Sequence, residues 1–355
     1  MTDDEDLDAT AVTDVRAAHA VDEGRLAEFL KANLPAAAGD MRLTQFAYGQ
    51  SNPTYVVTFD DAEYVLRKQP PGELLPSAHQ VDREYRVQRA LHEAGFPVAE
   101  QFLFSDDREI VGTPFYIMER KHGRVFKDTS LPGCTPEHRA EMYKSIAETL
   151  AALHRFEPAA LGLTDFGRPG DWYRRQFRRW SRNFAETQTQ PIPAMAPLAA
   201  WLDANMPEDD DTRIAHGDYR MGNLMFHPTE PHVVAVFDWE ISTLGHPLGD
   251  LAYCAILYGT RQDQFYGVEG QDLDALGIPS FAAFNDMYCK AAGRTDGGLT
   301  DAHMAHAFYR FASILDGVRA RGLAGNAASM DAANVGLIAP DIAARGLKYA
   351  EAAGA

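Results

Sequence analysis

The stretch "HGDYRMGNLMFH" occupies His216–His227, and "FDWEISTLGHPLGD" follows at Phe237–Asp250. Histidines, aspartates and an asparagine are gathered there among apolar residues. A solvent-facing loop has no use for Leu224, Met225 and Phe226. A plain core strand does not tolerate Asp218 or Asp238, because a buried charge needs a partner or a ligand. These two segments decide how the rest of the chain is read.

Asp218 and Asn223 are five residues apart, the spacing of a loop that supplies a proton-accepting carboxylate and a metal-binding amide in phosphoryl transfer. That chemistry needs little else from a protein: a group to orient the attacking hydroxyl, and oxygen ligands for magnesium. Asp238 follows the apolar run "VVAVF", so its carboxylate emerges at a strand end. Two blander readings compete. Either Asp218 or Asn223 alone is a common turn or capping residue. His216, His227, His232 and His246 with the aspartates would suit a hydrolase centre, but no histidine pair has helical i,i+4 spacing with a glutamate between. One base, one amide and one strand-end carboxylate fit magnesium and ATP better.

Upstream, "MRLTQFAYGQSN", "TYVVTF" and "AEYVLRKQ" alternate as strands, with Asp60–Asp61 as the turn between the second and third. A helix is expected before them over Gly24–Leu34. Another follows over Ser77–Ala94, stopped by Gly95. Two more strands fit "EQFLFSD" and "TPFYIMER", and the chain beyond Pro136 reads mostly as helix. In "YGQSN", backbone N–H groups near Gly49, Ser51 and Asn52 can cover phosphates, although with a single glycine the loop taken by itself reads first as a plain hairpin turn. In "EYVLRKQ", alternation puts Val65 and Arg67 on one face and Leu66 and Lys68 on the other. If Val65 roofs an adenine, Arg67 meets the phosphates. Glu84 on the next helix would then pair with that cation.

The 355 residues suit about two domains at about 150 residues each. A formal charge of −18 argues against nucleic acid or an anionic membrane as partner, and no apolar run approaches a membrane span. The acidic opening, residues 1–20, reads as a disordered tail with neither signal nor transit character. Cys134, Cys254 and Cys289 are widely spaced and read as reduced thiols of a cytoplasmic protein. The fold class is α+β. A nucleotide-binding lobe of small antiparallel sheet and one helix spans 21–120, a hinge 121–125, and a larger helical lobe with the catalytic loop and substrate site 126–355.

Taken together, "HGDYRMGNLMF", "FDWE", "GDLAY", "YVLRK" and "DREYRV" resemble the aminoglycoside phosphotransferase family, whose fold is protein-kinase-like and two-lobed. The resemblance covers roughly residues 40–350. It implies Asp218 as catalytic base, Asn223 and Asp238 as magnesium ligands, His216 as a brace, and Asp250 as the acceptor that fixes the loop from behind. Met118 and Glu119, where the last small-lobe strand meets the connector, join the nucleotide-binding set. Which of Arg67 and Lys68 contacts phosphate stays open, and an arginine fork differs from a lysine point charge. "YVLRKQPPGELLPSAHQVDREYRV" is similar to kinase domains associated with acyl-CoA dehydrogenases. That implies a hydroxyacyl-CoA or hydroxy-acid acceptor, with aminoglycosides and amino alcohols as the alternative and a non-catalytic nucleotide-binding pseudokinase as another. "DWYRRQFRRWSRNF" carries five arginines, among them Arg175 and Arg179. Such a flank repels a polycationic aminoglycoside and attracts a CoA phosphate or acyl carboxylate. Against this stands the plain reading of core aromatics and surface ion pairs.

Overall fold

The computed structural model of the protein describes residues 11–47, 52–72, 79–208, 211–325 and 332–354. The chain divides into two compact units. The first takes the described residues of Met1–Val125 together with Leu224–Pro228 and Val234–Glu240, and the second takes Phe126–Asn223, Thr229–Val233 and Ile241–Ala355.

The first unit is built on a six-stranded antiparallel sheet. Its strands are β1 (Val12–Thr13), β2 (Arg42–Phe46), β3 (Thr54–Thr58), β4 (Glu63–Lys68), β5 (Gln101–Ser105) and β6 (Phe115–Glu119), in the order β1-β2-β3-β4-β6-β5. Helices α1 (Glu23–Asn33), α2 (Val81–Glu93) and the single turn α3 (Arg108–Val111) accompany it. The β3–β4 turn closes with Phe59 N–H donating to the Ala62 carbonyl at 2.8 Å, leaving Asp60 and Asp61 at its tip. Alternation sorts the strands into two apolar faces. Tyr55, Val57, Tyr64 and Leu66 pack with Leu26 and Leu30 of α1 and with Ile110 and Val111. Val65 packs on the opposite side with Tyr116, Met118, Ala99 and Val81 of α2. Asp22 caps α1 by accepting from Arg25 N–H at 3.0 Å. Gly95, at φ +81°, ends α2 in the left-handed conformation that glycine adopts most readily.

The disordered tail expected over residues 1–20 is corrected for its second half. Val12 and Thr13 pair with Phe46 and Gln45. Gln45, 1% exposed, accepts from Arg16 N–H at 3.1 Å, and the Tyr55 hydroxyl donates to the His19 carbonyl at 2.7 Å. These side chains need polar partners, and residues 16–19 supply them. Residues 1–10 lie outside the described part.

A second difference concerns the expected hinge. Arg124 and Val125 form β7, which pairs with β9 (Leu224–Phe226); β9 in turn neighbours β10 (Val233–Val236). A Cβ on Gly123 would stand 2.3 Å from the Phe226 carbonyl oxygen, so only glycine permits this approach. Val236 N–H donates to Pro97 O at 2.9 Å, and Trp239 packs edge-on to Phe96 at 6.0 Å. For these reasons residues 224–228 and 234–240 belong with the sheet unit rather than with the helical one.

The second unit holds α4 (Pro136–Arg155), α5 (Trp172–Thr187), α6 (Met195–Ala204), α7 (Pro247–Cys254), α8 (Leu273–Leu276), α9 (Phe281–Ala292), α10 (Asp301–Leu323), α11 (Ala332–Val335) and α12 (Ala339–Ala352). Two short strands, β8 (Arg213–Ala215) and β11 (Thr243–Gly245), pair beside them. Met304, Phe308, Phe311 and Leu315 of α10 pack with Leu198 and Leu202 of α6 and Ile342 and Ala343 of α12. Phe177 and Trp180 of α5 lie half-buried against that core, as their helical spacing requires. Among the described residues no helix is long and apolar enough to cross a membrane.

α10 also buries His303 and His306, which surround the Tyr173 ring at 5.5 and 5.1 Å. Burial pushes His303 down to about 3, helped by His246, His306 and Arg294; burial and then Arg310 push His306 down to about 3. Both imidazoles are therefore neutral when folded and titrate near 6.5 when unfolded. The unfolded chain binds more protons below pH 6.5, so stability falls from there toward pH 3. The limit is about 1.4 kcal/mol per pH unit for each histidine. Denaturant midpoints measured at pH 7 and pH 5 should separate, and the separation should shrink in His306→Gln. An identical pH slope in that variant would remove His306 as a cause.

Candidate active site

In the second unit, β8 ends at Ala215, paired with Thr243 of β11, and the chain turns into the loop His216–Asn223. Gly217 makes this turn at φ +84°, the left-handed region that favours glycine, and a Cβ there would stand 3.0 Å from the Ile241 carbonyl oxygen. Asp250, in the first turn of α7, accepts from the backbone N–H of His216 at 2.6 Å and of Gly217 at 2.8 Å. It is fully buried. Burial pushes its pKa up, but the His154 hydrogen bond and charge, His216 and the Gly217 N–H outweigh it and leave the carboxyl below its ordinary range. His154 Nε2 stands 3.4 Å from Asp250, and its Nδ1 meets the Tyr288 hydroxyl at 2.7 Å. Asp250 thus stays ionised and pins two successive peptides.

His216 is fully buried, and its Nδ1 accepts from Asp218 N–H at 3.2 Å. It braces the loop. The Asp218 side chain is 21% exposed, and Asn223 Nδ2 donates both to its carbonyl and to its Oδ2 at 2.8 Å. Arg220 Nε approaches the same oxygen at 3.3 Å. Two further residues were not singled out from the sequence. Arg310 Nη2 donates to the Gly217 carbonyl at 2.5 Å, and its guanidinium lies 4.5 Å above the Tyr253 ring. The Tyr253 phenol is pushed up by burial and then by the charge of the Asp218 carboxylate. Tyr253 was legible only as part of "GDLAY". Arg310 had a signal: a lone cation in the apolar run of α10.

In the first unit, Arg67 Nε meets Glu84 Oε2 at 2.8 Å. Glu84, 1% exposed, also accepts from the Tyr116 hydroxyl at 3.1 Å and from Asn52 Nδ2 at 2.8 Å. Arg67 Nη2 lies 3.7 Å from Asp238 and 3.9 Å from Glu240. Burial opposes its charge, but Glu84 first, then Tyr116, Asp238 and Glu240, raise its pKa. Asp238 sits at φ +64°, a conformation that carries strain in residues other than glycine. Its Oδ1 is buried without a hydrogen bond. Val65 pairs in register with Met118, beside Arg67.

Lys68 does not join this group. Its ammonium donates to the Val111 carbonyl at 2.5 Å on the other face of the sheet, and burial lowers its pKa. Side-chain alternation is the reason. Glu119 accepts from Glu100 N–H at 3.1 Å and pairs with Lys121 at 2.8 Å. Gly49 and Ser51 lie outside the described residues. Asp238 belongs to the first unit, Asp218 and Asn223 to the second. Arg175 Nη2 donates to the Arg168 carbonyl at 2.6 Å, while Arg179 lies 5.3 Å over the Trp180 ring. Among the described residues no three His, Cys, Asp or Glu side chains gather as a metal site.

The sequence profile of the phosphotransferase enzyme family matches residues 42–299. Acyl-CoA dehydrogenase family member 11 of Gallus gallus is 41% identical over 348 residues, 96% of this chain and 45% of that protein. The chain therefore spans less than half the length of that relative. A solved structure from Ralstonia eutropha JMP134, described as a candidate aminoglycoside phosphotransferase, is 39% identical. It covers 94% of this chain and 99% of its own, with a TM-score of 0.86. The aminoglycoside phosphotransferase APH(4)-Ia, solved with AMP-PNP and hygromycin B, is 15% identical across 92% of this chain and 98% of its own. Its TM-score of 0.60 is a likeness of fold. With its profile match, its 39%-identical structural relative and its kinase-like α+β fold, the chain belongs to the phosphotransferase enzyme family.

Proposed function

We propose that the protein is an ATP- and magnesium-dependent kinase that transfers the γ-phosphoryl group to a hydroxyl of a small molecule, a hydroxyacyl-CoA or hydroxy acid. One observation carries the reading: Asp218 keeps a partly open carboxylate on a loop whose backbone is held by a buried, ionised Asp250. A base so held is already oriented before its substrate arrives.

In this reading the acceptor hydroxyl donates its proton to Asp218 as its oxygen bonds to the γ-phosphorus. The bond from that phosphorus to the β–γ bridging oxygen breaks, and ADP leaves with those electrons. Arg67, kept charged and oriented by Glu84, would clamp the non-transferred phosphates, with Val65 and Met118 against the adenine. The Asn223 amide and the Asp238 carboxylate would hold magnesium, which would neutralise phosphate charge. The buried, unbonded Oδ1 of Asp238 and an all-oxygen donor set fit a hard cation. The APH(4)-Ia complex with AMP-PNP supports nucleotide use. The acyl-CoA dehydrogenase relative supports an acyl-CoA acceptor.

Asp218→Ala should lose about 100- to 10,000-fold in kcat, measured by ADP release with a hydroxyacyl acceptor, while still binding ATP. An unchanged rate would remove Asp218 as the base. ATP binding with no phosphorylated product across hydroxy acids, their CoA thioesters, amino alcohols and aminoglycosides would favour a pseudokinase. Arg67→Met and Lys68→Met, two like truncations of adjacent residues, give a second test. Only the first should raise the KM for ATP, by about tenfold or more, given about 1.5–3 kcal/mol for a charged hydrogen bond. Equal effects would sink the assignment of Arg67 to phosphate.

A further inference from the structure

Arg179 and Arg310 of the second unit flank Trp180, Arg182 follows Arg179 three residues on along α5, and among the described residues none of the three has a carboxylate within ion-pair distance. The guanidiniums of Arg179 and Arg310 lie 5.3 and 5.8 Å from the centre of the Trp180 ring. Arg179 has an open outer surface, but its charged end is crowded: its pKa is lowered, first by desolvation and then by the like charge of Arg310 and Arg182. Elsewhere this acidic chain, with 51 Asp and Glu, pairs its arginines readily. On the same helix Arg174 reaches Asp171 at 4.0 Å and Asp203 at 3.5 Å. The cluster is therefore not explained by a shortage of acids.

Arg310 adds the observation that points to a ligand. It is 4% exposed and its Nε is buried with no hydrogen-bond partner. Its Nη2 is spent on the Gly217 carbonyl, one residue before Asp218, and its face rests on Tyr253. A buried guanidinium with an unused donor, beside two more cations and adjoining the reactive carboxylate, fits an anion with planar or tetrahedral oxygens.

We propose that Arg179, Arg182 and Arg310 form an anion subsite of the acceptor pocket, which takes a carboxylate or phosphate carried by the acceptor itself. The proposal rests on the kinase reading and deepens it: the acceptor is an anion, and polycationic alcohols are excluded by charge. Two sources share this chemistry, the carboxylate of a free hydroxy acid and the phosphates of a CoA thioester.

The test compares three acceptors of one acyl chain: the free hydroxy acid, its CoA thioester and its uncharged pantetheine thioester. Arg179→Gln and Arg182→Gln lie on the surface side of the cluster and avoid disturbing Arg310. Each should raise the KM of an anionic acceptor by about 10- to 100-fold relative to the pantetheine thioester. Arg179→Glu should exceed that effect, and Arg174→Gln should show none. A defect confined to the hydroxy acid assigns the carboxylate, and one confined to the CoA thioester assigns the phosphates. Equal KM changes for charged and uncharged acceptors, or none, overturn the proposal. Should wild-type protein phosphorylate none of the three, the kinase reading fails separately. Calorimetric titration with CoA and with the hydroxy acid then decides the subsite. Wild-type binding that weakens tenfold or more in Arg179→Gln upholds it, and absent or unchanged binding overturns it.

Discussion

One buried carboxylate holds the loop on which everything in the second unit turns. Asp250 accepts from two consecutive peptide N–H groups and is partnered by His154. An ion so buried is tolerated only when its lone pairs are satisfied, and here the satisfying groups are the loop backbone itself. Loss of the loop conformation would strand the charge, and neutralising the charge would release the loop. Arg310 grips the same turn through the Gly217 carbonyl. Gly217 is thus fixed through both its N–H and its C=O, and Asp218 inherits an orientation that its own partly open side chain could not maintain.

The first unit uses a different device. Arg67 stands among Glu84, Asp238 and Glu240, and the closest of them, Glu84, is itself fixed by Asn52 and Tyr116. The guanidinium is steered at once by a helix residue, Glu84, and by two carboxylates of the turn that follows β10. Lys68, one position on, is drawn to the opposite side of the sheet by the same alternation that places Leu66 in the core. A lysine there serves as a buried donor to one carbonyl, and its charge plays no part in the Arg67 network.

Much of this was legible from local pattern. Asp218, Asn223 and Asp238 stood out because charged and amide side chains sat in apolar runs. The β3–β4 hairpin was readable from period-two alternation around Asp60 and Asp61, and the Arg67–Lys68 choice was framed by that same period without being decided. What escaped was long-range. Arg310 lies 93 residues from Gly217 in sequence, and His154 reaches Asp250 across 96, so no window of sequence contains either pair. Residues 11–20 were misjudged by composition, because the buried Gln45 and Tyr55 that recruit them lie far downstream in the sheet.

The interleaving of the two units has a topological consequence. The chain leaves the sheet unit after Val125, returns for Leu224–Pro228 and again for Val234–Glu240. No single scission can therefore yield an intact amino-terminal piece. A fragment stopping at 125 would lack the strand that pairs with β7, the Val236 amide that bonds Pro97 and the indole that covers Phe96. Folding of that unit must wait until more than a hundred later residues have been synthesised. The acidic Asp238–Glu240 turn that flanks Arg67 is delivered last.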